Sequence, residues 1–336
     1  MNQAIRWGIW GTGHIANKVA SDFEHAGGAI VHAVASRSGE RARLFAAQVG
    51  AARWHEGLDA LLRDKEVEVV YVATPHHLHL DDCLACIEAG NAVLCETPFA
   101  LNEGQARRMV DAARSRGVFC MEAMWTRFLP AVVEAKRLVA SGELGSVRMV
   151  QGNFAHPATE APESRLFSLG MGGGALLDIG VYVISLAQHL LGAPEAVRGT
   201  AIMGATGVDV QSAYQLAFPC GAIADVAASL QVLGNNEFVV LGKSGLLRLC
   251  EPFYAAQRLE FEAHDNRRVV ERSVKTLPFA GHGYQFELME VNRCIREGST
   301  ESAIMSWNDT LEVMGTMDAL RAQFGLVYPQ EQTARG

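Results

Sequence analysis

Ile5-Arg6-Trp7-Gly8-Ile9-Trp10 followed directly by Gly11-Thr12-Gly13-His14-Ile15-Ala16 is the stretch that decides the fold. A strand-like apolar run enters a G-x-G-x-x-[G/A] pattern, and a helical pattern from about His14 to Glu24 follows. Each small residue has a physical task there: Gly11 permits a tight turn, Gly13 lets the backbone approach a diphosphate, and Ala16 allows close helix–strand packing. The first turn of the helix offers unpaired N–H groups and a partial positive charge to phosphate oxygens. Gly11, Thr12, Gly13, His14 and Ile15 are therefore the expected diphosphate-binding residues. An ordinary glycine turn is the alternative, and the strand–turn–helix context argues against it.

Working outward, short apolar runs alternate with helical stretches. Strands are expected over 30–35, 67–73, 92–95 and 118–121, and helices over 14–24, 39–49, 58–62, 78–89 and 103–116. Such alternation predicts a parallel sheet with helices on both faces. The pattern changes after Met124. A helix over about 130–141 is followed by strand-like runs at 147–154, 197–203, 209–218, 221–232, 237–241 and 245–249, several joined by Gly or Pro turns. A helix near 180–190 precedes most of these strands, and two more near 284–297 and 307–323 close the chain. The expected architecture is an α/β Rossmann domain over 1–124 and an α+β domain with a mostly antiparallel sheet over 125–336.

The net charge of −8 argues against nucleic acid or an anionic membrane as the main partner. Seven scattered cysteines read as reduced thiols, and Cys83-x-x-Cys86 lacks the second pair that a metal site would use. No apolar run of membrane-spanning length is evident, and the first strand begins at Ile5, so a cytoplasmic location is expected. His76, His77 and His79 lack a partnering Cys or acidic cluster, and no metal is expected.

At the end of the second strand stands Ser36-Arg37-Ser38, where NAD-selective sites usually carry Asp or Glu. No carboxylate there repels a 2′-phosphate, and Arg37 can pair with one, so NADP is favoured over NAD. A solvated loop charge is the plainer reading of Arg37.

Three further segments carry a family resemblance: Ala73-Thr74-Pro75-His76-His77-Leu78-His79, Leu94-Cys95-Glu96-Thr97-Pro98, and Gly172-Gly173-Gly174-Ala175-Leu176-Leu177-Asp178-Ile179-Gly180-Val181-Tyr182. They resemble the T-P-x-x-x-H, E-K-P and G-G-G-x-L-x-D-x-G-x-Y segments of the Gfo/Idh/MocA oxidoreductases. Glu122–Pro130 is similar to the branch containing dimeric dihydrodiol dehydrogenase and NADP-dependent D-xylose dehydrogenase. The resemblance covers nearly the whole chain. It implies an open-faced antiparallel sheet, oligomerisation (a homodimer or higher) through that sheet, and sugar, cyclic diol or related substrates. By matching position it implies that Thr74, Pro75, His76 and His79 line the cofactor, and that Glu96 hydrogen-bonds it. Trp125, Arg127, Phe154 and Arg165 would border nicotinamide or substrate, with Arg165 also counted among the cofactor contacts. Asp178 and Tyr182 would face the reacting carbon.

The departure is at Thr97, where the family pattern has lysine. Oxidising an alcohol needs a proton acceptor while hydride leaves the carbon. Lysine supplies a proton relay and a charge that favours an ionised neighbouring tyrosine; threonine supplies only a hydrogen bond. Three accounts stand. Tyr182, with Asp178 or His76, carries the proton; the chemistry has become redox-neutral glycoside cleavage or elimination with a retained cofactor; or the site is silent and the protein a cofactor-binding sensor. The leading expectation is an NADP(H)-dependent oxidoreductase with Tyr182, Asp178 and Thr97 as its reactive group. Plainer roles compete: Asp178 as a first-turn helix acid, Tyr182 as a buried tyrosine, Trp125 and Phe128 as packing, and His189 as structural. His282-Gly283-Tyr284 is not placed by sequence.

Overall fold

The computed structural model describes residues 4–266 and 268–332 and divides into two compact units. The first comprises Met1–Trp125 and Ala280–Leu311, the second Thr126–Phe279 and Glu312–Gly336.

The first unit carries β1 (Ile5–Trp10), α1 (His14–Asp22), β2 (Ala29–Ser36), α2 (Gly39–Val49), β3 (Arg53–Glu56), α3 (Leu58–Leu62), β4 (Val69–Val72), α4 (His79–Glu88), β5 (Ala92–Cys95), α5 (Glu103–Arg116) and β6 (Cys120–Glu122). The sheet order is β3-β2-β1-β4-β5-β6, and every pairing is parallel. The order reverses at β1 and β4, so their carboxyl ends frame the crevice where open α/β sheets bind ligands. Val69–Val72 is buried throughout, as expected of a central strand covered on both faces. Helix ends follow local chemistry: Ser38 caps α2 by accepting from Arg41 N, and Asn102 caps α5 by accepting from Gln105 N at 2.8 Å. The 4-residue strand β3 was not expected from sequence; its residues are mostly exposed and polar, without apolar alternation.

The chain comes back to this unit after the second one. Helix α8 (Gln285–Arg296) was expected in the C-terminal domain, but it packs within the first unit. Trp7 Nε1 donates to Asn292 Oδ1 at 3.1 Å. Buried Asp22 accepts from the backbone N–H groups of His282 and Tyr284. Trp307 Nε1 donates to the Cys120 carbonyl at 2.9 Å. The boundary at 124/125 therefore describes only the first crossing of the chain.

The second unit contains α6 (Pro130–Ala140), β7 (Val147–Ala155), a π-turn (Leu176–Gly180) running into α7 (Val181–Leu191), β8 (Ala196–Met203), β9 (Asp209–Ala217), β10 (Ile223–Ser229), β11 (Phe238–Gly242), β12 (Gly245–Leu249), β13 (Arg258–Asp265) and β14 (Arg268–Thr276). The 18-residue helix α9 (Trp307–Phe324) starts in the first unit and ends in the second, before a short α10 (Pro329–Gln332). The sheet order is β14-β13-β12-β11-β7-β10-β9-β8, antiparallel except for β7 with β10. Strands β13 and β14 were missed in the sequence, because β14 is exposed along most of its length and shows no buried alternation.

Alternation on β9 buries Ser212, Tyr214 and Leu216 and exposes Gln211, Ala213 and Gln215. Register carries the open face across the sheet: Gln215 opposes Asp225, which opposes Gln151, which opposes Val239. One sequence expectation is corrected here. Leu169–Leu191 is long and apolar enough for a membrane span by length and composition, yet 72% of its window is buried inside the fold. A core helix needs the same apolar surface on all sides that a membrane helix does.

Candidate active site

In the first unit, β1 ends at a turn where Gly11 N donates to the Ala35 carbonyl at 3.0 Å. Gly11 has φ +111°, and a Cβ there would stand 2.6 Å from the Ala73 carbonyl oxygen, so only glycine fits. Two residues on the situation is the opposite. Gly13 is exposed and opens α1, no side chain caps that helix, and a Cβ on Gly13 would meet nothing within 4 Å. Ala16 beneath is fully buried. An uncapped helix end facing open space, with a strand packed tightly behind it, suits a dinucleotide diphosphate. Thr12, His14 and Ile15 belong to the same turn, and Arg37 is exposed at the end of β2 next to the capping Ser38.

Beyond β4, the predicted cofactor-lining residues form a braced loop. Thr74 Oγ1 donates to Asp82 Oδ2 at 2.7 Å. The fully buried His79 ring lies 2.8 Å from the Thr74 carbonyl and 3.0 Å from the Pro98 carbonyl. It ties the loop after β4 to the loop after β5. His76 is buried and meets His79 edge-on at 5.8 Å. Pro75 starts the short turn that carries His76.

Glu96 directly follows β5. It accepts from Tyr71 OH, and its Oε2 accepts from Thr97 N at 3.2 Å. Both Glu96 and Thr97 are buried. Behind them Glu287 on α8 is fully buried, and neither carboxyl oxygen has a hydrogen-bond partner. Burial, with the negative charges of Glu96 and Asp22 added, pushes its carboxyl well above the usual carboxylate range. Trp125 packs against Tyr284 with 4.5 Å between ring centres and 40° between planes. Tyr284 is thus placed against a predicted site residue, and His282 sits on Asp22 instead.

The residues expected to react, Asp178 and Tyr182, stand in the second unit on the π-turn and the first turn of α7. Arg165 Nη1 donates to Asp178 Oδ1 at 2.5 Å; Asp178 is 11% exposed in its side chain and Arg165 51%. Four residues on, Tyr182 is half-buried, its ring edge-on to Phe154 at 5.4 Å. Phe154 in turn stacks on Tyr254 at 4.1 Å with 13° between planes. The result is an aromatic wall with a carboxylate–guanidinium pair beside it, the kind of surface on which a sugar or ring can rest. Arg127 is 1% exposed, and its guanidinium donates to Ser185 Oγ and the Ser185 carbonyl on α7. That engagement anchors α7.

Sequence reasoning missed Tyr71, Glu287 and Tyr254. None stands in a recognisable short pattern; each is defined by what it packs against. Cys83 and Cys86 are buried on α4, and burial pushes both thiols well up, away from thiolate chemistry.

Comparisons with known proteins agree with this geometry. Residues 5–124 match a family model described as "Oxidoreductase family, NAD-binding Rossmann fold", and residues 132–248 match "GFO/IDH/MocA C-terminal domain". The chain is 33% identical to a trans-1,2-dihydrobenzene-1,2-diol dehydrogenase from Danio rerio, covering 98% of this chain and 99% of that one. The Homo sapiens protein of the same name is 31% identical with the same coverage. Among solved structures, a 3-ketoreductase from Actinomadura kijaniata in complex with NADP and TDP-benzene aligns with TM-score 0.83 and 26% identity, covering 95% of this chain and 98% of that one. A levoglucosan dehydrogenase in complex with NADH and levoglucosan aligns with TM-score 0.86, covering 96% and 98%; at 22% identity it speaks for the fold alone. Fold, dinucleotide turn and relatives together make this chain a member of the Gfo/Idh/MocA oxidoreductase family.

Proposed function

We propose that this protein is an NADP(H)-dependent oxidoreductase that transfers hydride to or from a carbon of a sugar, cyclic diol or related small alcohol or carbonyl compound. The observation that carries the reading is the Asp178–Tyr182 pair, one helical turn apart, with Arg165 fixing the carboxylate and Phe154 backing the phenol. When bound, the nicotinamide supplies or takes up the hydride. The rest falls to the chain. The backbone at Gly11 and Gly13 holds the diphosphate, and Arg37 pairs with the 2′-phosphate where an acidic residue would repel it. His79 and Glu96 brace the two loops that carry the predicted nicotinamide-side residues. Tyr182, as its phenolate, takes the substrate hydroxyl proton during oxidation, and the resulting phenol returns it during reduction. Asp178 orients the substrate, and Thr97 donates a hydrogen bond to it.

Thr97 brings no charge to favour the phenolate, so turnover is expected to be slow. Losing one acid/base group costs about 10²–10⁴ in rate. The test is a spectrophotometric screen of aldoses, cyclic polyols and cyclic diols with NADP(H) and NAD(H), on the parent chain and on Thr97→Lys. The substitution should raise kcat by about 10²-fold on the best substrate. A Thr97→Lys protein that binds cofactor yet turns over nothing in this panel would remove the reading.

We also infer self-association through the uncovered face of the eight-stranded sheet. Met149 and Ile223 are neighbours on that face and 44% and 51% exposed, beside the polar row of Gln215, Asp225 and Gln151. Sedimentation of the parent against Ile223→Lys reads this directly.

A further inference from the structure

We propose that Asp209 is a positioning residue for the Asp178–Tyr182 pair, acting through a buried polar ladder on β9 that grips both ends of the π-turn. The proposal rests on the functional reading above, and goes beyond it in naming what sets the pair's geometry.

The ladder consists of Asp209, Ser212 and Tyr214, exposed by 0%, 2% and 1%. Ser212 Oγ donates to Asp209 Oδ2 at 2.8 Å and lies 2.6 Å from Tyr214 OH. At one end, Asp209 Oδ2 also accepts from Leu176 N at 2.8 Å, the first residue of the π-turn. At the other end, a Cβ on Gly180, the last residue of the turn, would stand 2.6 Å from Tyr214 OH. Asp178 lies midway between these two grips, and Tyr182 follows two residues after the second.

The glycines ahead of the turn fit the same surface. Gly174 has φ +122°, and a Cβ there would stand 2.3 Å from Asp209 Oδ1. Gly173 lies so close to the Arg165 and Leu166 carbonyls that a Cβ would be 2.7 and 2.6 Å from them. Tyr328 OH donates to the Gly173 carbonyl at 2.7 Å, and Gly174 N donates to the Leu166 carbonyl at 2.9 Å. Thus the glycine run is pressed against both the segment that carries Arg165 and the ladder that carries Asp209. Asp209 Oδ1 has no hydrogen-bond partner, although the residue is fully buried. A buried carboxyl oxygen without a partner costs stability. Retaining such a group suits a local task better than it suits packing.

The experiment compares Asp209→Ala, Asp209→Asn and Tyr214→Phe with Tyr182→Phe as reference. Two readouts are used. One is amide hydrogen exchange over 174–182 in the full-length protein; the other is kcat, KM and cofactor dissociation constant on the best substrate from the screen. Asp209→Ala should speed exchange at Leu176 and lower kcat about tenfold to a hundredfold, with the cofactor constant within twofold of the parent. Asn retains an acceptor for Leu176 N–H and should recover most of the loss, and Tyr214→Phe keeps the test alive if the alanine variant does not fold. Unchanged exchange over 174–182 in Asp209→Ala overturns the positioning role. So does unchanged kcat in that variant when Tyr182→Phe is impaired. Full activity in Tyr182→Phe overturns the functional reading instead, and the exchange result then still decides what Asp209 does.

Discussion

Two glycine-rich segments, one in each unit, use the same residue for opposite purposes. At the turn after β1, Gly13 keeps space empty: a side chain there would touch no protein atom within 4 Å. At the approach to the π-turn, Gly173, Gly174 and Gly180 let protein fill the space, since a Cβ on any of them would come within 2.7 Å of another protein atom. Open space in front of Gly13, at the uncapped start of α1, leaves room for a ligand. A small residue in front of a buried polar ladder marks a place where a loop is held.

Substitution separates the two cases most sharply. Gly174→Ala forces a Cβ into a positive-φ position against Asp209, which should destabilise the protein by roughly 2–5 kcal/mol in chemical denaturation. Gly13→Ala should leave the denaturation midpoint of cofactor-free protein near the parent's, while weakening NADP(H) binding about tenfold in calorimetric titration. The opposite pattern, a folding defect at Gly13 with normal affinity, would erase the contrast.

The second effect is electrostatic. Burial pushes the Asp209 carboxyl up to about 7, from an ordinary value of 3.8, against the opposing bonds from Ser212 and Leu176 N and the charge of Arg321 on α9. The folded state therefore binds this proton more tightly than the unfolded chain. Its stabilisation is complete below about pH 4 and is lost as the pH rises through 7, amounting to roughly 4 kcal/mol at ~1.4 kcal/mol per unit. Asp209→Asn has no such proton. Urea unfolding at several pH values should show the variant gaining on the parent from pH 4 to 8; parallel profiles would mean that the group does not titrate in this range. The buried Glu287 shifts in the same direction but is common to both proteins, so it cancels in the difference.

The smallest effect belongs to the ligand side. Arg37 is exposed, and Arg37→Ala should weaken NADP(H) about tenfold while leaving NAD(H) within twofold. Equal losses for both cofactors would assign Arg37 to general charge attraction and remove the argument for NADP preference.

Most of the first unit was legible in order along the chain, because its decisive features are local. Strand, turn and helix from Ile5 to Asp22 can be read within about twenty residues. Segment 172–182 was recognisable as a pattern, yet the sequence said nothing of why it needs its glycines. The reasons lie on Leu166, Asp209, Tyr214 and Tyr328, up to about 150 residues away. Arg127 adds a contact of the same long-range kind: its guanidinium donates to Ser185, which no local pattern announces.

Sequence by itself determined the parallel alternation, the diphosphate turn and the absence of an acid at the end of β2. Each follows from residue type and short spacing, through sterics and charge acting over one or two turns of chain. Tertiary structure alone decided the return of α8 to the first unit, the strands β13 and β14, the burial of Glu287, and the Asp209 ladder beneath the π-turn. Those features depend on which distant groups are brought together out of water. Burial and hydrogen-bond partnership belong to the packed molecule, and no local pattern encodes them.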